Sequence, residues 1–392
     1  MNKRKVLIVI HQLNHGGVQK ALLSVLDALD YEKNEVTLYV RKNRLQLLPE
    51  VNKQVNRVII NEDNTHYYRK PYSALLLFLM LVCDLMHIKG VSEKIQKRLT
   101  EYINESQMKY EYHHYFKNQN AFDVAVSYIQ GYTAKFVADY VQANKKVMFF
   151  HGSTDENHEL HEELLHKMNA VVGVNNNVKE ILCELYPMHS AKMTYIRNYV
   201  NAEEVRYKSQ AYEVQKEDKR IILCSCGRLT PVKGFNLAVD AAKIMKEKGI
   251  LFKWYFVGDG PERAKLEHQI EEYGLSAYIE ITGMQDNPYP YISDCDIYVQ
   301  PSYEESHSLT IEEALILNRP VVSTETVGGK MQIVQEYNGF VCDFNGESIS
   351  YYVEMLIRNP EMRKRIMEQL ERIDYSENLR EYKDSWEKLL ED

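Results

Sequence analysis

The sequence predicts an α/β protein of two Rossmann-like domains, each built on a parallel sheet and facing the other across a cleft. Three observations lead there. The chain has 392 residues, and one hydrophobic core rarely grows beyond about 250–300 residues. Short apolar runs rich in Val and Ile alternate with segments of helical period. That alternation stops in a polar stretch and then begins again. The opening reads as strand, turn and helix in KVLIVI (5–10), HQLNHGG (11–17) and VQKALLSVLDAL (18–29). Strands follow in EVTLYV (35–40), FDVAVSYI (122–129), KVMFFH (146–151) and AVVGVN (170–175), the last leading into a helix over 176–186. Residues 201–220 are charged and weakly periodic, and they read as a connector.

After the connector the pattern restarts. RIILCSCG (220–227), FKWYFVGDG (252–260), YIEITG (278–283), CDIYVQPS (295–302) and PVVSTE (320–325) read as strands. Segments 236–249, 261–274 and 310–318 read as helices between them. The expected division is 1–200 and 201–373, with a charged helical tail over 374–392 carrying Trp386 and packing back on the first domain.

Charge separates the halves. Residues 1–150 hold 21 Lys and Arg against 14 Asp and Glu, while the rest hold 27 against 42. The acidic remainder argues against a nucleic-acid protein, and the basic first half suits anionic headgroups or a phosphorylated partner. Six cysteines without a CxxC pair point to a reducing compartment, with Cys224 and Cys226 as strand residues. The apolar start is too short for a leader and reads as a first strand. The run ALLLFLMLVCDLM (74–86) is interrupted by Asp84 and falls short of the ~20 residues that span a bilayer. Within the wider segment 71–98, its basic flanks would suit a helix lying on a membrane surface, against the alternative of a buried core helix.

The stretch PSYEESHSLTIEEAL (301–315) sets Glu305 and Glu313 eight positions apart around the mouth of a helix. Eight helical residues span ~12 Å. Such acids cannot share one small group, but they can hold opposite ends of an elongated ligand. Between them the free amides and dipole of the helix start favour an anion. A diphosphate between two hydroxylated rings meets these demands. The plainer alternative is a capping box between Thr310 and Glu313. Arg228 and Lys233 follow a strand end and could neutralise such a phosphate. Gly16 and Gly17 lie in the first strand-to-helix turn, but NHGGVQ is not the dinucleotide fingerprint GxGxxG. His151 closes a strand at its carboxyl end. His158, His161 and His166 lack the spacing of a recognised metal motif.

The segments GRLTPVKGFNLAVDA (227–241), FVGDGPERAKLE (256–267) and DIYVQPSYEESHSLTIEEALILNRPVVSTETVGG (296–329) resemble the donor-domain motifs of family 4 glycosyltransferases, retaining enzymes of the GT-B fold. The resemblance runs from the Gly16-Gly17 turn to about Asp343, and its overall pattern is similar to bacterial enzymes of capsular, exopolysaccharide or other cell-surface glycan synthesis. It implies an acceptor-binding first domain, with the Gly16-Gly17 loop near acceptor or phosphate, and a second domain binding a nucleotide-sugar. Arg228 and Lys233 would then hold the diphosphate with the amides of Ser308, Leu309 and Thr310. Glu313 would take the ribose hydroxyls, Glu305 the transferred sugar, Met284 the edge of the base, and His151 a hydrogen bond to the sugar. Where the family commonly has glycines this chain has Ser306 and Ser308, which alters how closely the loop approaches the donor.

No metal or other cofactor is expected, the nucleotide-sugar being a co-substrate. The DxD-like Asp294-Cys295-Asp296 precedes a strand and reads as structural. The implied partners are a nucleotide-sugar, UDP-linked in the first instance, and a glycan or lipid-linked acceptor, without nucleic acid. The implied location is the cytoplasm, at the inner face of the membrane. A sugar-nucleotide 2-epimerase of the same fold and a non-catalytic nucleotide-sugar-binding subunit stand as alternatives.

Overall fold

The computed structural model describes residues 2–61, 89–152, 160–214 and 220–391. The apolar stretch 71–86, read above as a surface or core helix, lies outside the described residues, as does His158. The chain forms two compact units, Met1–Ile196 with Ser385–Asp392, and Arg197–Asp384.

The first unit holds a seven-stranded sheet of β1 (Arg4–Ile10), β2 (Asn34–Val40), β3 (Arg57–Ile60), β4 (Phe122–Ser127), β5 (Ala143–Phe150), β6 (Ala170–Gly173) and β7 (Met193–Tyr195). Its order is β3-β2-β1-β4-β5-β6-β7, and the recorded pairings are parallel. Its helices are α1 (Gly17–Ala28), α2 (Lys89–Glu111), α3 (Tyr132–Tyr140), α4 (Glu162–Lys167) and α5 (Asn176–Leu185). Helices on both faces explain the unbroken apolar run of β1, where Val6 to Ile10 are fully buried. Buried Arg41 and Glu111 tie β2 to the end of α2 through a bidentate pair at 2.8 and 3.1 Å.

The second unit holds β8 (Ile221–Cys226), β9 (Phe252–Val257), β10 (Ile279–Gly283), β11 (Ile297–Gln300), β12 (Val321–Thr324) and β13 (Gly339–Cys342), in the order β10-β9-β8-β11-β12-β13. Renumbered from its own first strand this is 3-2-1-4-5-6, the Rossmann order, and the pairings are again parallel. Its helices are α6 (Ala202–Ser209), α7 (Phe235–Glu247), α8 (Arg263–Glu272), α9 (Tyr289–Asp294), α10 (Leu309–Ile316), α11 (Val327–Gln332), α12 (Gly346–Arg358) and α13 (Pro360–Glu371). Helix α14 (Ser376–Glu391) ends the described chain.

Two departures from the sequence reading have local causes. The stretch taken as a connector contains α6, started by Asn201, whose Oδ1 accepts from the Glu204 amide at 3.2 Å. Strands β3, β7 and β13, three or four residues long, lie outside the strands read from the sequence. Trp386, 1 % exposed, stacks on Phe149 with centroids 5.0 Å apart and planes 7° from parallel. Trp386→Ala is expected to cost about 3–5 kcal/mol of first-unit stability by opening a cavity, read as a lowered midpoint in chemical denaturation; a loss under 1 kcal/mol would mean that the contact is dispensable.

Candidate active site

Strands β8 and β11 are neighbours where the strand order of the second sheet reverses. Loops leaving the carboxyl ends of such a pair diverge and leave a crevice that suits ligands. The β8 loop carries Arg228 and Lys233, and the β11 loop carries Glu305. Lys233 Nζ donates to Glu305 Oε1 at 2.6 Å. The same oxygen accepts from Ser302 Oγ at 2.9 Å and Gln300 Nε2 at 3.1 Å. With its side chain only 10 % exposed, Glu305 is a carboxylate whose charge is held in place by three donors.

The glycines explain why the loops meet. Gly234 has φ 61°, and a Cβ there would lie 2.0 Å from the Pro301 carbonyl oxygen. The Tyr303 amide donates to the Val232 carbonyl at 2.8 Å, so the Lys233 turn rests on the start of the β11 loop. Arg228 is exposed on the same loop. Its neighbour Leu229 is fixed by backbone bonds to Asp259 and Glu262, both 3.0 Å. That packing requires Gly260, where a Cβ would stand 2.3 Å from the Leu229 carbonyl oxygen.

Helix α10 begins beside the ion pair. Ser308 caps it, Oγ accepting from the Ile311 amide at 3.4 Å. The Thr310–Glu313 capping box considered from sequence does not form. Thr310 Oγ1 instead donates to Gln300 Oε1 at 2.9 Å, and Glu313 Oε1 accepts from the Tyr289 hydroxyl at 3.1 Å. Burial first, and Glu313 second, raise the Tyr289 hydroxyl well above its ordinary range, so it stays protonated and donates. The Ser308 amide is engaged by Gln332 Oε1 at 2.9 Å. This narrows the three amides expected at a phosphate to those of Leu309 and Thr310, which the first turn cannot satisfy internally. Glu312, buried beside Glu313, binds His307 Nε2 at 2.9 Å and Arg197 Nη2 at 3.4 Å. Tyr289, Gln300, His307 and Gln332 were not singled out from the sequence; the one signal was a glutamine closing the apolar run of β11.

Met284 is exposed just after β10. Asp294 and Asp296 both serve the backbone, accepting from the Val214 amide at 2.9 Å and the Ile222 amide at 2.8 Å. In the first unit, Gly16 caps α1 with an extended backbone and Gly17 is the first helical residue. His151 follows β5, its Nε2 donating to the Tyr128 carbonyl at 2.9 Å and its amide to Gln130 Oε1 at 3.2 Å. The ring thus joins the ends of β4 and β5.

Burial pushes the His151 imidazole down to about 4. His11, after β1, is also lowered to about 4, by burial foremost and then by Lys42, Arg41 and Arg44. In the unfolded chain both titrate near their ordinary value of 6.5. The unfolded chain therefore takes up protons first as pH falls, and stability present above about pH 6.5 is lost between there and about pH 4. His151→Gln, which keeps an N–H donor, is expected to flatten this fall relative to the parent protein in thermal melts from pH 7 to 4.5. Parallel curves would contradict the assignment.

Residues 208–372 match the family model for glycosyl transferases group 1, and this span contains both loops and α10. The chain therefore carries a group 1 glycosyl transferase domain. It is 28 % identical over 148 residues to the lipopolysaccharide core biosynthesis glycosyltransferase LpsE of Rhizobium meliloti, covering 38 % of this chain and 42 % of that protein. Among solved structures it is similar to Anabaena HepE in complex with UDP, with a TM-score of 0.66, 14 % identity, and 98 % and 99 % of the two chains covered. It is likewise similar to TarM of S. aureus, with a TM-score of 0.73, 12 % identity, and 100 % and 99 % covered. The two parallel-sheet domains thus have the GT-B fold, as the sequence resemblance implied.

Proposed function

We propose that the protein is a retaining glycosyltransferase of the family 4 kind. It would move a sugar from a nucleotide-diphospho-sugar, UDP-linked in the first instance, to a glycan or lipid-linked acceptor in bacterial cell-surface polysaccharide synthesis. The observation that carries this reading is the Lys233–Glu305 pair at the mouth of α10, with Glu313 buried just inside the helix. The spacing suits a ligand with a charged centre and hydroxylated ends. LpsE, by name a lipopolysaccharide core enzyme, and HepE, solved with UDP, support the substrate class.

In this reading Lys233, Arg228 and the amides of Leu309 and Thr310 receive the diphosphate. Glu313 accepts from the ribose hydroxyls and Glu305 from those of the transferred sugar, while Met284 edges the base. The acceptor oxygen bonds to the anomeric carbon on the face from which the phosphate leaves, and its proton passes to the departing phosphate oxygen. Charge developing on that phosphate is met by Lys233, Arg228 and the helix start, so the reaction is read as independent of a divalent ion. The first unit is assigned the acceptor, with Gly16 and Gly17 in its loop, and neutral His151 offers a hydrogen-bonding group to a sugar. The reaction is placed in the cytoplasm at the inner membrane face; among the described residues no helix is long and apolar enough to cross a membrane.

The test is product analysis with a panel of nucleotide-sugars, with and without oligosaccharide or lipid-linked acceptors. Nucleoside diphosphate released in step with an acceptor glycoside of retained configuration is the expected result. Conversion of the nucleotide-sugar without acceptor would favour the 2-epimerase instead.

A further inference from the structure

Outside the candidate active site, the first unit brings together three metal-ligating side chains that the proposed reaction does not use. Glu162 and His166 lie one turn apart on α4, so they share a face. His189 comes from the turn Pro187–Lys192 that precedes β7. Its Nε2 stands 2.7 Å from Glu162 Oε2, and His166 Nε2 stands 3.8 Å from the same oxygen. The two imidazoles meet edge to face at 4.8 Å, and one ligand atom from each of the three residues lies within 4.8 Å of the others.

We propose that these residues bind one Zn²⁺, which clamps α4 to the turn before β7. Two imidazoles and one carboxylate are the ligand set of an open zinc site, and they disfavour Mg²⁺ and Ca²⁺, which require mostly oxygen ligands. Bonds of about 2.0–2.2 Å in a tetrahedron set ligand atoms roughly 3.3–3.6 Å apart. The observed 2.7 and 3.8 Å bracket that spacing. His189 is the fixed ligand, its side chain 4 % exposed, whereas Glu162 and His166 are 64 % and 73 % exposed.

The frame around the site is already built. His161 Nδ1 caps α4 by accepting from the Leu164 amide at 3.2 Å. Lys167, at the other end, is held by Asp139 and Glu163, each at 2.7 Å. Lys192 Nζ donates to the Leu165 carbonyl at 3.1 Å, tying the same turn to the same helix. The Lys167 charge is balanced by Asp139 and Glu163 and Lys192 is engaged by the Leu165 and His166 carbonyls, so Glu162 supplies the local negative charge for a cation. A helix of six residues has little stability of its own, and a bond from its outer face to a distant turn stabilises it directly.

The test titrates the full, metal-stripped chain with Zn²⁺ against a chromophoric chelator, alongside His166→Ala, Glu162→Gln and His189→Gln. One equivalent bound in the micromolar range or tighter is expected, with affinity at least ~10-fold weaker in each variant. Zinc should also raise the melting midpoint of the parent protein and not that of the variants. Co²⁺ in place of zinc should give the visible spectrum of a four-coordinate nitrogen and oxygen site. Should buried His189→Gln fail to fold, the two exposed positions decide the matter. Absence of stoichiometric binding, or binding unchanged in His166→Ala and Glu162→Gln, would overturn the proposal.

Discussion

Lys233→Ala is expected to lower kcat/KM for the nucleotide-sugar by about 10²–10³-fold, the usual loss when one preorganised donor to a developing charge is removed. Its ammonium lies 2.6 Å from Glu305 across the loops of β8 and β11, so one side chain orders both halves of the crevice. The alanine variant mixes two effects: it removes a charge from the diphosphate and leaves a mostly buried carboxylate without its strongest donor. Lys233→Gln separates them. An amide can still donate to Glu305, and its stability should lie near that of the parent, but it brings no charge to the phosphate. Initial-rate kinetics of both variants beside their melting curves would show a shared loss of rate and a loss of stability mainly in alanine. A glutamine variant of full activity would mean that Lys233 only orders the loop. Arg228→Ala should cost less, because Arg228 is exposed on that loop.

Gly234→Ala is expected to be among the most damaging small substitutions in the second unit. The residue sits in the left-handed region at φ 61°, and an added Cβ would lie 2.0 Å from the Pro301 carbonyl oxygen. Backbone is the obstacle, so rotation of a side chain cannot relieve it. A strained φ costs of order 1–3 kcal/mol; displacing the loop adds to that and breaks the approach of Lys233 to Glu305. Denaturant unfolding should show at least about 2 kcal/mol lost, together with weaker donor binding. Gly249→Ala is the control: it shares a positive φ of 72° but has nothing within 4 Å of its Cβ position. Equal effects of the two substitutions would show that backbone strain, not the Pro301 contact, sets the cost.

The architecture was legible because parallel strands covered on both faces are continuous apolar runs, and KVLIVI, RIILCSCG and FKWYFVGDG stand out from any surface helix. Short strands such as Met193–Tyr195 carry no such signal. In α6 the mostly charged sequence hid the helix, although Asn201 before it was a readable cap. In the candidate site, residue types and loops were visible, but their partners were not. Lys233 and Glu305 are 72 positions apart, and only the strand order that sets β8 beside β11 makes them neighbours. The same limit concealed His189, 27 positions from Glu162. Reading His158, His161 and His166 as a local series missed that His161 is spent as a cap while His166 turns towards the distant histidine.

The central claim is that Lys233, Glu305 and the mouth of α10 form a nucleotide-sugar site that works without a divalent ion. Thermal unfolding with UDP, GDP, ADP and their sugar conjugates tests it most directly, in the parent protein and in Lys233→Gln. Each nucleotide is compared with its own nucleotide-free control at the same EDTA concentration. A ligand present at a hundred times its dissociation constant adds ~2.7 kcal/mol to the folded state. A raised midpoint with one nucleotide, unchanged by EDTA and lost in Lys233→Gln, is the expected result. No rise with any of them, or a rise that survives loss of the lysine charge, would contradict it.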